Sequence, residues 1–127
     1  MTQNVSASSP RLLLAWGWTL VILVLCWTPS DKLPLDKAVP SFFAFQHLDK
    51  LVHFGIFAVF GVVWMRAVTS PGRAAWVLAG GIALAVVSEV GQGLSIIARD
   101  PDVFDALADA VGVAAGVWAY LRAARSG

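Results

Sequence analysis

The hydrophobic positions of the chain fall into four long runs separated by short polar stretches. These runs cover about residues 12–28, 51–68, 74–98 and 103–121. Each is roughly 17 to 25 residues long, the length of an α-helix that crosses ~30 Å of hydrocarbon. No run alternates polar and apolar residues with a period of two, as the strands of a membrane barrel do. The pattern predicts an all-α integral membrane protein with four transmembrane helices in an antiparallel bundle.

The polar segments outside these runs complete the predicted organisation. Residues 1–10 are polar and are predicted to form a disordered N-terminal tail. Three prolines and alternating charges predict a loop between the first two helices. Residues 11–124 are then one membrane domain.

Composition and charge agree with a membrane protein and exclude one class of partner. The 127 residues are 58% hydrophobic and only 13% charged, which is unusual for a soluble domain of this length. The net charge is +1, so no basic stripe for nucleic acid is expected. The single cysteine, Cys26, cannot form an intramolecular disulfide and is expected to pack as a small apolar side chain.

The distribution of basic residues predicts the orientation. Four helices place both termini on one side, together with five of the nine lysines and arginines. No acidic residue falls on that side. Because basic residues concentrate on the cytoplasmic side, both termini are predicted to be cytoplasmic.

Ionisable residues nevertheless occur within the second and third runs. Asp49 and His53 are four residues apart and share a helix face, with Lys50 beside them. Glu89 and Gln92 are three apart in the third run. A carboxylate in the hydrocarbon costs roughly 2.5–3.5 kcal/mol on insertion scales, so Glu89 must be paired, protonated or next to water.

The fourth run carries acidic residues on one helix face near its start and glycines on the same face further along. Asp102 suits the N-cap of this helix, where an acid is favoured. At 100° per residue, four later positions lie within about 60° of one another: Asp105, Asp109, Gly112 and Gly116. The two glycines form a small-xxx-small surface that predicts close helix packing.

The predicted topology brings these polar residues into one half of the membrane. The second and fourth helices begin where the third ends. Nine residues therefore form the predicted ligand-binding site: Asp49, Lys50, His53, Glu89, Gln92, Arg99, Asp102, Asp105 and Asp109.

The same residues resemble the motifs of the VanZ-like family. The pattern of that family is Asp-Lys-x-x-His-Phe, then Glu-x-x-Gln, then an Arg-x-x-Asp-x-x-Asp run followed by Asn and two glycines. The matching positions are Asp49, Lys50, His53, Phe54, Glu89, Gln92, Arg99, Asp102, Asp105, Gly112 and Gly116. The resemblance covers about residues 10–122. Asp109 stands where the family has Asn, which replaces an amide donor with an ionisable acid.

This resemblance implies a four-helix protein of the bacterial inner membrane with a role in the cell envelope. The name-giving member of the family is linked to teicoplanin resistance. The resemblance does not indicate a reaction, so the biochemical activity of the chain is not assigned from it.

Three functions are compatible with the predicted site. The first is binding of a lipid-linked or cell-surface component, with Lys50 and Arg99 facing phosphate or carboxylate. The second is a membrane-embedded enzyme acting on a phospholipid or polyprenyl phosphate, and the third is proton-coupled transport. No metal site or catalytic residue is assigned, although clustered carboxylates leave a divalent cation open. Membrane lipids and a further copy of the chain are the other expected partners.

Overall fold

The described part of the chain consists of four α-helices. The computed structural model describes residues 9–28, 45–94 and 102–127. The helices are α1 (Ser9–Trp27), α2 (Phe45–Ala67), α3 (Arg73–Gln92) and α4 (Val103–Ser126). Each is long and apolar enough to span a membrane, which confirms the all-α prediction with four candidate spans. The predicted tail and the loop between the first two helices lie almost entirely outside the described residues.

Two helix boundaries differ from those predicted. Helix α2 begins at Phe45 rather than near 51, so Asp49 and Lys50 belong to the helix itself. Helix α3 ends at Gln92 rather than near 98. Gly93 caps it there: its N–H donates to the carbonyl oxygen of Glu89, and the N–H of Leu94 donates to that of Gly91. The apolar run continues beyond this cap, so hydrophobicity alone placed the end too late.

Helices α2 and α4 pack backbone against backbone. A Cβ atom on Gly112 would overlap the carbonyl oxygen of Phe54, and one on Gly116 would overlap that of Ala58. From the other side, a Cβ atom on Gly61 would lie 2.8 Å from the carbonyl oxygen of Val113. The small residues of both helices therefore allow the approach that the glycine spacing predicts for α4.

Helix α1 is attached to its neighbours by indole hydrogen bonds. Trp18 Nε1 donates to the Ile56 carbonyl on α2 at 2.9 Å, and Trp27 Nε1 donates to the Ser88 carbonyl on α3 at 3.2 Å. Gly91 lies directly against the Trp27 ring. These bonds satisfy the N–H groups of two bulky side chains that are partly buried.

The outer surface of the helices is strongly apolar. Only 17% to 33% of each candidate span is buried inside the protein. Large apolar side chains are among the most exposed, including Leu13, Trp76 and Val103. A surface of this kind suits lipid rather than water, because lipid does not penalise exposed hydrocarbon.

Candidate functional site

Polar side chains from three helices meet at one end of the bundle. The first turns of α2, the last turn of α3 and the first turns of α4 contribute to this cluster. We call it the polar layer, and it consists of Asp49, Lys50, His53, Glu89, Asp102, Asp105 and Asp109. The structure thus brings together seven of the nine residues that the sequence predicts for the site.

Lys50 connects α2 to the start of α4. Its Nζ donates to Asp102 Oδ2 at 2.7 Å and to Asp105 Oδ1 at 3.2 Å. The Asp105 side chain is only 7% exposed, so this ion pair is shielded from bulk water on one side. Lys50 is therefore engaged by two carboxylates and is not free to bind the phosphate group that the sequence suggested.

Asp102 joins all three helices of the layer. Its Oδ1 caps α4 by accepting the N–H of Phe104 at 2.9 Å, as the sequence predicts. Its own N–H donates to Glu89 Oε2 at 3.0 Å. The hydrogen bond from Lys50, followed by that from Phe104, holds the pKa of the Asp102 carboxyl below its ordinary value. Asp102 thus connects the three helices although its side chain is 38% exposed.

His53 and Asp109 form the most deeply buried pair of the layer. Nδ1 of His53 lies 2.8 Å from Asp109 Oδ1, and the two side chains are 4% and 0% exposed. The other ring nitrogen, Nε2, lies 3.9 Å from Asp49 Oδ1, which is too long for a hydrogen bond. The Asp49–His53 spacing therefore positions two groups on one face without joining them directly.

Two carboxylate oxygens of the layer are buried and lack partners. Among the described residues, Glu89 Oε1 and Asp109 Oδ2 accept no hydrogen bond. A buried acceptor without a donor typically costs about 1–3 kcal/mol, and more when it is charged. No described residue donates to either atom, so both remain open to a further hydrogen-bond donor.

Two residues predicted for the site are not part of the layer as described. Gln92 is buried, and its Nε2 donates to the Cys26 carbonyl on α1 at 3.2 Å, so it fixes α1 against the end of α3. Arg99 lies outside the described residues.

Glu89 stands in the last turn of α3, because the helix ends three residues after it.

No known protein family, curated protein or solved structure matches the chain. The geometry of the polar layer is therefore the evidence for the chemistry of this chain.

The polar layer contains one group of side chains with the composition of a metal site. One ligand atom each from Asp49, His53 and Asp105 can be chosen so that all three lie within 4.8 Å of one another. Carboxylate oxygens and an imidazole nitrogen are ordinary ligands for divalent metal ions. The sequence indicated these residues but not their grouping, because Asp105 lies on another helix.

A separate apolar groove runs between α1, α2 and α3. It has a volume of about 380 Å³ and is lined almost entirely by apolar side chains, including Trp16, Phe60, Trp64 and Trp76. None of its lining residues belongs to the polar layer. The groove offers space for hydrocarbon but no polar chemistry, so the polar layer is the better candidate for the functional site.

Proposed function

We propose that this chain is a VanZ-like protein of the bacterial inner membrane that binds a lipid-linked component of the cell envelope through the polar layer. The observation that carries this proposal is a pair of buried oxygens, Glu89 Oε1 and Asp109 Oδ2, that accept no hydrogen bond from any residue the structure describes. Such acceptors favour a ligand rich in hydrogen-bond donors. Sugar hydroxyls and amino groups on a membrane-anchored head group have this chemistry.

The charge of the layer supports the same class of ligand. Five carboxyl groups lie there, and Lys50 already binds two of them. An anionic group would meet these carboxylates without a free lysine in the described part of the layer. A donor-rich or cationic head group would be attracted instead, which revises the expectation that Lys50 faces phosphate.

The proposed placement is an antiparallel bundle with cytoplasmic termini and the polar layer in the outer half of the membrane. The pairings of Lys50 with Asp105 and of Ala58 with Gly116 support a common direction for α2 and α4. Five basic residues and no acids would lie on the cytoplasmic side. The ligand would then come from the outer leaflet, where binding could change the access of a glycopeptide antibiotic to its target.

Native mass spectrometry of the full chain released from membranes tests the proposal. We expect a co-purifying glycolipid or amino-bearing lipid in the wild-type protein and its loss in Glu89→Gln, which removes the charge but preserves the shape. Ser88→Ala is the matched control, since Ser88 lies beside Glu89 and its hydroxyl donates to the Ala85 carbonyl of the same helix. A folded wild-type protein that carries no such lipid, or a Glu89→Gln variant that keeps it fully, would contradict the proposal.

Catalysis on the same lipid class is a second candidate, and the His53–Asp109 pair favours it. An imidazole oriented by a buried carboxylate is a common general base. The substrate would be a phospholipid or a polyprenyl phosphate. Purified protein incubated with membrane lipid extract and Mg²⁺ should then release a new product, and His53→Gln should release none. An unchanged extract excludes this candidate.

A further inference from the structure

We propose that Asp49, His53 and Asp105 hold one divalent first-row metal ion, of the class of Zn²⁺ or Mn²⁺. The inference deepens the proposed function and rests on it for the role of the ion, which would take an oxygen of the bound head group as a further ligand. Binding of the ion itself needs no lipid and can be measured separately.

The distances in the layer fit such an ion. Bonds from a metal of this class to imidazole nitrogen or carboxylate oxygen are about 2.0–2.2 Å. His53 Nε2 and Asp49 Oδ1 are 3.9 Å apart. One ion can therefore reach both atoms with no change in their separation. The third ligand atom, on Asp105, lies within 4.8 Å of the other two, so a shift of a few tenths of an ångström at most is needed for one ion to reach all three.

The orientation of His53 is a second and independent observation. Nδ1 faces Asp109 Oδ1 at 2.8 Å, which assigns the ring proton to Nδ1 and leaves the Nε2 lone pair directed at the carboxylates. Metal-bound histidines usually donate their other N–H to a carboxylate or carbonyl in this way. Asp109 is completely buried and has one oxygen without a partner in the described structure. It acts as a positioning residue for the imidazole.

The charge of the layer also calls for a cation. Its five carboxyl groups face one ammonium, that of Lys50, among the described side chains. Arg99 would leave the acids in excess wherever it lies. A divalent ion between Asp49 and Asp105 would compensate two carboxylates at once.

The donor atoms select the class of metal. A mixed set of one nitrogen and two oxygens suits Zn²⁺ or Mn²⁺, whereas Ca²⁺ and Mg²⁺ prefer oxygen alone. Lys50 bonds to Oδ1 of Asp105, which leaves Oδ2 of that carboxylate as the oxygen offered to the ion.

Metal titration of the full-length protein in detergent tests the inference. After removal of metal with EDTA, we expect one Zn²⁺ per chain by calorimetry and Mn²⁺ binding by electron paramagnetic resonance, with nitrogen coupling from His53. His53→Gln keeps the negative charge of the layer but removes the nitrogen ligand, so binding and nitrogen coupling should both disappear. Asp109→Ala should weaken binding about 10- to 100-fold, the usual effect of losing a supporting partner.

Two further variants separate coordination from general charge attraction and from misfolding. Ser88→Ala should bind Zn²⁺ as the wild-type protein does. Asp49→Asn changes a ligand that is 30% exposed, so it should stay folded and still lose affinity. Absence of stoichiometric binding in the wild type overturns the inference, as does wild-type affinity in folded His53→Gln.

The same preparation distinguishes failure of the metal site from failure of the proposed function. A protein that carries lipid but binds neither Zn²⁺ nor Mn²⁺ leaves the proposed function intact and refutes the metal site. A protein that binds one Zn²⁺ through His53 but carries no lipid supports the metal site and refutes the proposed function.

Discussion

Asp109 holds the imidazole of His53 by a 2.8 Å contact between Oδ1 and Nδ1, and neither side chain is open to solvent. The two residues come from different helices and stand 56 positions apart in the chain. Because both are buried, the loss of either one leaves the other without its partner in a medium that cannot replace it. The energetic consequences differ for the two partners.

Replacing His53 should destabilise the protein more than replacing Asp109. His53→Ala leaves a buried carboxylate without its partner, which costs about 3–5 kcal/mol. Asp109→Ala leaves a neutral N–H without an acceptor, which costs about 1–3 kcal/mol. The double variant removes the uncompensated charge and should be more stable than His53→Ala alone. Unfolding by sodium dodecyl sulfate in mixed micelles measures all three, and equal losses in the two single variants would contradict the account.

Asp109→Asn should keep the protein close to wild-type stability. The amide oxygen of Asn can still accept the Nδ1–H of His53, while the buried charge on the partnerless oxygen is removed. We expect a free energy of unfolding within about 1 kcal/mol of the wild type, clearly above that of Asp109→Ala. The same micelle unfolding assay compares the two variants. A loss as large as that of Asp109→Ala would mean that His53 needs the charge and not only the acceptor.

Gly116→Ala should separate α2 from α4. The added methyl group would overlap the carbonyl oxygen of Ala58, so one helix backbone must shift. Overpacking of this kind costs about 1–3 kcal/mol. Gly55→Ala is the control, because a Cβ atom there meets nothing within 4 Å, and it should be neutral or stabilising by up to about 1 kcal/mol. Similar effects of the two substitutions in thermal unfolding would refute the backbone contact.

Acid should weaken the contribution of Asp102 to stability. Its pKa in the folded protein lies below the ordinary value of 3.8, because Lys50 and the Phe104 N–H stabilise the carboxylate. The contribution is therefore complete above pH 3.8 and is lost as the pH falls from 3.8 toward the lower folded-state value. The Asp102→Asn variant has no carboxylate at this position and therefore lacks this contribution to stability.

The stability difference between wild type and Asp102→Asn measures this effect. It should be largest at neutral pH and should shrink as the pH falls below 3.8, because the unfolded chain then binds a proton that the folded carboxylate resists. In Lys50→Met the largest cause of the lowered pKa is absent, so the loss on acidification should be smaller and should be complete at a higher pH. A difference between wild type and Asp102→Asn that is constant with pH would show that the Lys50 contact is not an ion pair in solution.

Much of the fold could be predicted from the sequence, because the signals for it are local. Four apolar runs of spanning length are visible without any tertiary information, and so is the acid before Val103 that caps α4. The end of α3 was not predictable from hydrophobicity, since apolar residues continue past Gly93. Gly93 stands at this end but keeps a right-handed backbone with φ −71°, so the left-handed glycine that often ends a helix does not mark it.

The composition of the candidate site was predictable, whereas its connections were not. Helix periodicity places Asp49 on the face of His53 and Asp105 on the face of Asp109. It cannot state how α2 is rotated against α4, and this rotation decides that Lys50 meets Asp102 and Asp105 rather than a ligand. Gln92 shows the same limit, because its amide group is used by the Cys26 carbonyl on α1.

The position of these partners along the chain has a consequence for the synthesis of the protein. Helix α4 is the least apolar of the four candidate spans, with a mean hydropathy of 1.3, and it leaves the ribosome last. By then α2 has emerged and carries Lys50 and His53, the groups that meet Asp105 and Asp109 in the finished structure. The acids of α4 thus enter the bilayer beside ready partners, and a reversed order of helices would expose them to lipid alone.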